Sequence, residues 1–366
     1  MMNVVESFSA SYAQARVKFL EAAALANLPL SSHLHPLAGR DGEALAMDVA
    51  LEGAPDAERL LIVTSACHGV EGYCGSGVQV FALHDQEWRA KARAQGVAVL
   101  YVHALNPFGF SHGRRTTHEN VDLNRNFQDF SKPLPVNQAY RALRPLLLPQ
   151  HWPPDAENTA AVAHFIETQG MEAFQAAITR GQHEFADGLF FGGTEPTWSN
   201  QTIRQVLRGH ARQAGRIAWI DLHTGLGPSG VGERIFACKD DKAALARARL
   251  WWGGQGATPV TSIYDGSSSS ALLTGLMWMA LYEECPQAEY TGIAMEYGTQ
   301  PMAAVMMALR AEHWLHNNAQ TASAALAGQI KQQMLAAFYT DTDAWKGQII
   351  SQARQALFQA VDGLCT

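Results

Sequence analysis

Polar side chains that can bind a metal ion or move a proton stand directly after short apolar runs of the sequence. His68 and Glu71 follow the first of these runs, and His223 follows a later one. Glu296 ends another such run. In open α/β sheets, ligands bind outside the carboxyl ends of the strands. If the runs are strands of one sheet, a single crevice can therefore receive all four side chains.

The spacing of His68 and Glu71 suits a metal site. Imidazole and carboxylate groups are both zinc ligands, and a catalytic zinc site needs three protein ligands with a fourth position open. Two residues separate His68 from Glu71, so one turn can bring both to one ion, and His223 can supply a third ligand from another strand. Alone, a His-x-x-Glu pair is a weak signal, because solvated or hydrogen-bonded side chains produce it too.

The segment after the second apolar run makes the signal specific. It reads Asn-Pro-Phe-Gly over 106–109, Arg-Arg over 114–115 and Asn-Val-Asp-Leu-Asn-Arg-Asn-Phe over 120–127. Together with the His-x-x-Glu pair, a distant His and a late Glu, this order resembles the M14-type zinc carboxypeptidases. The resemblance covers residues 60–127 and 217–298. More narrowly, the chain resembles the DUF2817 group, a bacterial branch of these proteins.

The resemblance implies a zinc site and a catalytic base. His68, Glu71 and His223 would hold one zinc ion. Glu296 would act as the general base, which takes a proton from the metal-activated water and returns it to the leaving amine. Cys67 and Cys74 flank the motif, and we interpret both as small buried side chains rather than ligands.

The resemblance also implies substrate-binding roles. Asn124 and Arg125 would bind the terminal carboxylate of the substrate, because an arginine fork matches a carboxylate bidentately. Arg115 lies nine residues before Asn124, which is the family's spacing for the arginine that stabilises the oxyanion, and Arg114 is its rival. Tyr264 resembles the mobile tyrosine that covers the substrate.

These residues predict a zinc-dependent hydrolase that cleaves an amide or peptide bond next to a free carboxylate. Asn120 stands where the family commonly has Gly, and the chain opens without a secretion signal, so we expect small peptides or N-acyl amino acids as substrates. One alternative is an amidohydrolase of the aspartoacylase or succinylglutamate desuccinylase type, which shares the zinc pattern. Another is a catalytically silent binding protein of the same fold.

The elements that must position these residues predict an α/β fold. We expect one domain over 1–366, with a central mixed, largely parallel β-sheet flanked by helices as in zinc carboxypeptidases. An irregular or helical excursion is predicted at 131–215 and a helical tail at 303–362. The predicted strands cover residues 60–64, 97–102, 217–222 and 292–295, and the predicted helices cover residues 5–28, 76–95 and 200–214.

Composition excludes several classes of function. The net charge of −7 gives no electrostatic reason to bind nucleic acid or anionic lipid, and the apolar runs are too short to span a membrane. Five cysteines without zinc-finger spacing indicate no disulfide framework, and we expect a cytoplasmic protein. His103, His112 and His118 lie close enough to the motifs in sequence to be partners that orient the ligands, and we do not interpret them as ligands.

Overall fold

The central strands are runs of buried apolar residues, as strands covered on both faces must be. The computed structural model describes residues 2–254 and 258–366. Its strands form one eight-stranded sheet in the order β1-β2-β4-β3-β5-β8-β6-β7. They are β1 Leu30–Ala38, β2 Ala44–Glu52, β3 Arg59–Ser65, β4 Val97–His103, β5 Arg216–Ser229, β6 Gly232–Phe236, β7 Val260–Ser262 and β8 Glu289–Gly298.

The middle of the sheet is parallel. Strand β3 pairs in parallel with both β4 and β5, and β5 pairs in parallel with β8. The outer pairs β1–β2, β2–β4 and β6–β8 are antiparallel, so the sheet is mixed, as predicted. The parallel strands β3, β5 and β8 therefore end at the same edge, which is where the candidate site lies.

Helices cover the sheet. Their bounds are α1 Val4–Ser7, α2 Tyr12–Leu25, α3 Gly72–His84, α4 Gln86–Ala94, α5 Pro107–Ser111, α6 Gln138–Leu147, α7 Ala156–Gln169, α8 Met171–Thr179, α9 Trp198–His210, α10 Lys242–Trp252, α11 Met279–Glu284, α12 Met302–Asn317, α13 Ala324–Phe338 and α14 Asp343–Leu364. Helices α3 and α14 pack on β3 and β5, and α4 packs on β4. Their apolar side chains join those of the strands in one core.

The predicted elements agree with the structure where the apolar pattern is strong. All four predicted strands exist, and each is one or more residues longer than predicted. The helix predicted at 5–28 is divided into α1 and α2, and the one at 76–95 into α3 and α4, where Asp85 caps the start of α4. Strands β1, β2, β6 and β7 were missing from the prediction. Strand β1 is mostly exposed and has no regular alternation of apolar and polar residues.

The segments outside the motifs are helical. Residues 131–215 contain α6 to α9, and the tail contains α12 to α14. No helix in residues 2–254 or 258–366 is long and apolar enough to cross a membrane. The cytoplasmic location and the domain bounds stay predictions.

Candidate active site

A tight turn places His68 and Glu71 at the end of β3. Residues Gly69–Glu71 form one 3₁₀ turn that leads into α3. A Cβ at Gly69 would lie 2.0 Å from the carbonyl carbon of Gly109, so only glycine fits this close approach. The amides of Gly69 and Val70 donate to the carbonyls of Arg115 (3.0 Å) and Arg114 (2.7 Å). The turn is therefore fixed against the arginine segment.

The three predicted ligands meet at one point. His68 Nδ1 lies 2.9 Å from Glu71 Oε1, and His223 Nδ1 lies 3.0 Å from Glu71 Oε2. One ligand atom from each of the three residues falls within 4.8 Å of the others, and all three side chains are buried. Two imidazole nitrogens and a carboxylate facing one another form a donor set that suits a divalent cation.

Buried aspartates hold the other nitrogen of each imidazole. His68 Nε2 lies 3.2 Å from Asp122 Oδ1, and His223 Nε2 lies 2.5 Å from Asp221 Oδ2. Asp221 in turn accepts from the Thr64 hydroxyl, which is its neighbour across the β3–β5 pair. Each ring therefore has its Nε2 atom next to an aspartate and its Nδ1 atom turned towards Glu71, and Arg115 Nη2 also lies 2.8 Å from His68 Nε2.

Carboxyl groups outnumber guanidinium groups at this point. Among the described residues, four buried carboxyls, those of Glu71, Asp122, Asp221 and Glu296, lie in the same cluster as two arginines, Arg115 and Arg125. Burial lowers the pKa of His223, but Asp221 and Glu71 more than offset this and raise the pKa well above its usual range. Burial and the charge of Glu71 raise the pKa of Glu296 to about 8. The cluster thus favours an additional positive charge.

Glu296 lies next to His223 in the sheet. The two residues are register partners on the parallel strands β5 and β8. One carboxylate oxygen of Glu296 accepts from the amide of Leu226 at 3.0 Å, and the side chain faces the cleft with 8% of the residue exposed.

The structure separates the two neighbouring arginines. Arg115 enters the cluster, where its guanidinium donates to Asp122 (2.9 Å) and Glu71 (3.1 Å). Arg114 points the other way and pairs with Glu312 of α12 at 2.9 Å. Only Arg115 of this pair lines the cleft.

Asn120 has a structural reason to replace glycine. Its φ of +64° lies in the left-handed region, which glycine and asparagine tolerate best. The side chain also accepts from Arg114 Nη2 (3.1 Å) and donates to the carbonyls of Ala186 and Gly188. Asparagine thus permits the same turn and adds contacts to the excursion.

Asn124 and Arg125 reach the cleft from the next turn. Asn124 Oδ1 accepts from the Met277 amide at 3.1 Å, which leaves its amide nitrogen for a ligand. Arg125 donates to the carbonyls of Thr179 and Asn124, and its guanidinium lies 5.7 Å from the Phe190 ring centroid. These contacts use some of its five N–H groups and leave others for a ligand.

Tyr264 and the three histidines near the motifs make other contacts. Tyr264 donates its hydroxyl to the Cys238 carbonyl and is not among the described residues that line the cleft, so its substrate role stays a prediction. The expectation that His103 orients a ligand was wrong, because its ring contacts Ser76 and Phe19. The rings of His112 and His118 pack on Phe108 instead.

The orienting groups are Asp122 and Asp221. A sequence signal existed for Asp221, because it stands two residues before His223 and therefore on the same face of β5. The Cys67 thiol lies close to Asp221 and His223, but burial raises its pKa well above the usual range, so it stays protonated.

The site opens into a cleft of about 810 Å³, including the part open to solvent. The excursion supplies Gln175, Thr179 and Phe190 to one wall. Apolar side chains from β6, β8, the 270–278 segment and α12 line most of the remainder.

Similarity to known sequences places this chain in a family. A family model described as a protein of unknown function, DUF2817, matches residues 8–352. The chain belongs to the DUF2817 family. No curated protein sequence matches this DUF2817 chain.

Two solved structures illustrate what the DUF2817 chain is similar to. One is bovine thrombin-activatable fibrinolysis inhibitor in complex with tick carboxypeptidase inhibitor. Its alignment with this chain has a TM-score of 0.53 at 11% identity and covers 98% of each chain. A metallo-carboxypeptidase from Burkholderia cenocepacia has a TM-score of 0.39 at 12% identity, covering 88% of this chain and 66% of its own. At 11% identity, the similarity to the bovine protein shows a shared fold. The predicted zinc carboxypeptidase-like fold is thus confirmed.

Proposed function

We propose that the chain is a divalent-metal hydrolase that cleaves an amide bond next to a free carboxylate. One observation carries the proposal. The Nδ1 atoms of His68 and His223 face opposite oxygens of Glu71, while buried aspartates hold both Nε2 atoms. Such an arrangement is typical of metal-ligating histidines, whose second nitrogen donates to a carboxylate.

His68, Glu71 and His223 would hold the ion, and zinc suits this donor set best. Such an ion acts as a Lewis acid that polarises the carbonyl and makes water acidic enough to attack at neutral pH. Glu296 takes the proton of the attacking water and passes it to the leaving nitrogen. Arg115 donates to the oxygen that gains negative charge.

Asn124 and Arg125 would bind the substrate's carboxylate. The amide nitrogen of Asn124 is a neutral donor for it, and the remaining N–H groups of Arg125 are charge-matched donors. Their position in the same cleft as Glu296 orients the scissile amide relative to the base. We expect small peptides or N-acyl amino acids as substrates.

The test is metal analysis of the purified chain together with a panel of peptides and N-acyl amino acids, comparing the native chain with Glu296→Gln. The variant should retain the metal and lose most turnover, about 10²-fold or more. Equal turnover in both would remove Glu296 from the mechanism. A chain that binds metal but hydrolyses nothing in the panel would favour the binding-protein alternative.

A further inference from the structure

One face of α12 carries an apolar stripe that no charged residue interrupts. Met302, Val305, Met306 and Leu309 recur at the spacing of a single helix face, and all four line the cleft. Val305, Met306 and Leu309 are buried, with 3% to 6% exposed, and Met302 is half-buried, so the stripe forms part of the inner lining of the cleft.

Two further apolar residues join this stripe to the reacting groups. Thr224 donates its amide to Glu71 (3.1 Å) and its hydroxyl to the carbonyl of Phe338 (2.6 Å). The amide of Leu226 donates to Glu296. Phe338 and Leu226 both line the cleft, so an apolar wall begins beside the carboxyl groups of Glu71 and Glu296. We name this surface the α12 wall: Leu226, Met302, Val305, Met306, Leu309 and Phe338.

The proposed carboxylate-binding end is a different part of the cleft. The Asn124 side chain accepts a hydrogen bond from the Met277 amide, and the Arg125 guanidinium donates one to the carbonyl of Thr179 in α8. The carboxylate-binding end therefore contacts the 270–278 segment and the 131–215 excursion. The α12 wall lies instead next to the end of β5 and α13. A substrate whose carboxylate lies on Asn124 and Arg125 would direct its acyl side past Glu296 to the α12 wall.

From this arrangement we infer that the acyl group of the substrate is an apolar chain of several carbons. The inference rests on the proposed function and specifies its substrate class: N-acyl amino acids with a medium-length acyl group. An acetyl group would leave the α12 wall unfilled. A succinyl group would bring a carboxylate to a wall that holds no cation to pair with it, which is costly.

The test measures binding and turnover separately. Calorimetry measures binding to the metal-loaded Glu296→Gln variant for four compounds: N-acetyl-leucine, N-succinyl-leucine, N-octanoyl-leucine and N-acetyl-phenylalanyl-leucine. Turnover of the same compounds is measured with the native chain. Each buried methylene should strengthen binding by up to about fourfold. We therefore expect N-octanoyl-leucine to bind at least about 30-fold more tightly than N-acetyl-leucine, with N-succinyl-leucine weakest.

Two matched variants on α12 test whether the preference for the octanoyl group depends on the α12 wall. Met306→Gln alters the α12 wall, whereas Met307→Gln makes the same change at a neighbour that is 42% exposed on another side of the helix. The first should lower the preference for octanoyl over acetyl about tenfold, and the second should leave it unchanged. If Met306→Gln does not fold, Val305→Ala tests the same wall with a smaller expected loss.

The outcomes separate the two proposals. Hydrolysis of all compounds without preference for the longer acyl group would overturn the inference and leave the proposed function standing. A strong octanoyl preference in binding without any turnover would show that the α12 wall binds an apolar chain, and it would overturn the proposed function and with it the substrate assignment. Tighter binding of the phenylalanyl peptide than of N-octanoyl-leucine would overturn the acyl-chain assignment in favour of a peptide.

Discussion

Two buried ionic clusters begin at adjacent residues and differ in their balance of charge. The strand-end cluster contains Arg115 with His68, Glu71, Asp122, Asp221, His223 and Glu296. The helix cluster contains Arg114 with Asn120, Glu312 and Lys331. In the helix cluster a single carboxylate is matched by two cations, and in the strand-end cluster carboxyls are in excess.

This difference indicates which cluster has a purely structural role. Burial raises the pKa of Glu312, but Arg114 and Lys331 more than offset it and lower the pKa to about 2. That carboxylate needs no further partner. In the strand-end cluster burial likewise raises the pKa of Asp122, but Arg115 and Arg125 more than offset it and lower that pKa in the same way. Burial and Glu71, however, raise the pKa of Glu296 to about 8, and although burial opposes it, Asp221 and Glu71 raise the pKa of His223. A divalent cation would correct the imbalance of one cluster only.

The largest expected effect comes from removing a carboxylate from each cluster. Glu71→Gln should weaken divalent-metal affinity by roughly 10²–10³-fold, because it removes one of three protein ligands. Glu312→Gln should leave metal affinity unchanged and lower the free energy of unfolding instead. Competition with a chelator measures the first, and urea unfolding the second. If both variants bound metal equally, the strand-end cluster would not be the metal site.

The two arginines give the next comparison. Arg115→Lys should lower turnover by about 10²-fold, because the ammonium cannot reproduce the guanidinium donors aimed at the oxyanion, and should change stability less. Arg114→Lys should keep turnover and lose about 2 kcal/mol of stability through its pair with Glu312. Steady-state kinetics and denaturation of both variants check this. The reverse pattern would assign the oxyanion role to Arg114.

Acid titration tests whether the partners of Glu312 in the helix cluster keep its carboxylate ionised. The lowered pKa of Glu312 stabilises the fold above its ordinary pKa of about 4.5, and this contribution is lost as the pH falls towards 2. It should amount to about 3 kcal/mol. Thermal unfolding from pH 5 to pH 2 should therefore show a shallower loss in Glu312→Gln than in the native chain. Parallel curves would mean that Glu312 is not held ionised by its partners.

The smallest expected effect tests the support of His223. Thr64 accepts from the Trp219 indole (2.8 Å) and donates to Asp221 (2.5 Å), and all three are fully buried. Thr64→Val removes the hydroxyl at equal shape and should weaken metal affinity about tenfold, as loss of such support does elsewhere. Thr64→Ser keeps the hydroxyl and should restore it. Equal affinities in the two variants would separate Thr64 from the metal site.

Prediction from sequence succeeded where a local pattern carries the information. The strands that lead to the site are continuous apolar runs, and His68, Glu71, His223 and Glu296 all reach the one cleft expected from their strand ends. The missing strand β1 shows the limit. Its side chains are mostly exposed, and it is held mainly by backbone pairing to β2, which no sequence period records.

The sequence by itself determined the order of apolar strands and the polar residues that follow them, because burial and backbone turns depend on residue type and spacing. Only the tertiary structure decided which of Arg114 and Arg115 enters the site, since both stand in one turn and their partners lie far along the chain. It also decided that Asp122 and Asp221, rather than nearby histidines, hold the imidazoles. Such choices depend on which side chains meet across the sheet. The number of residues between two side chains in the sequence does not give the distance between them in the fold.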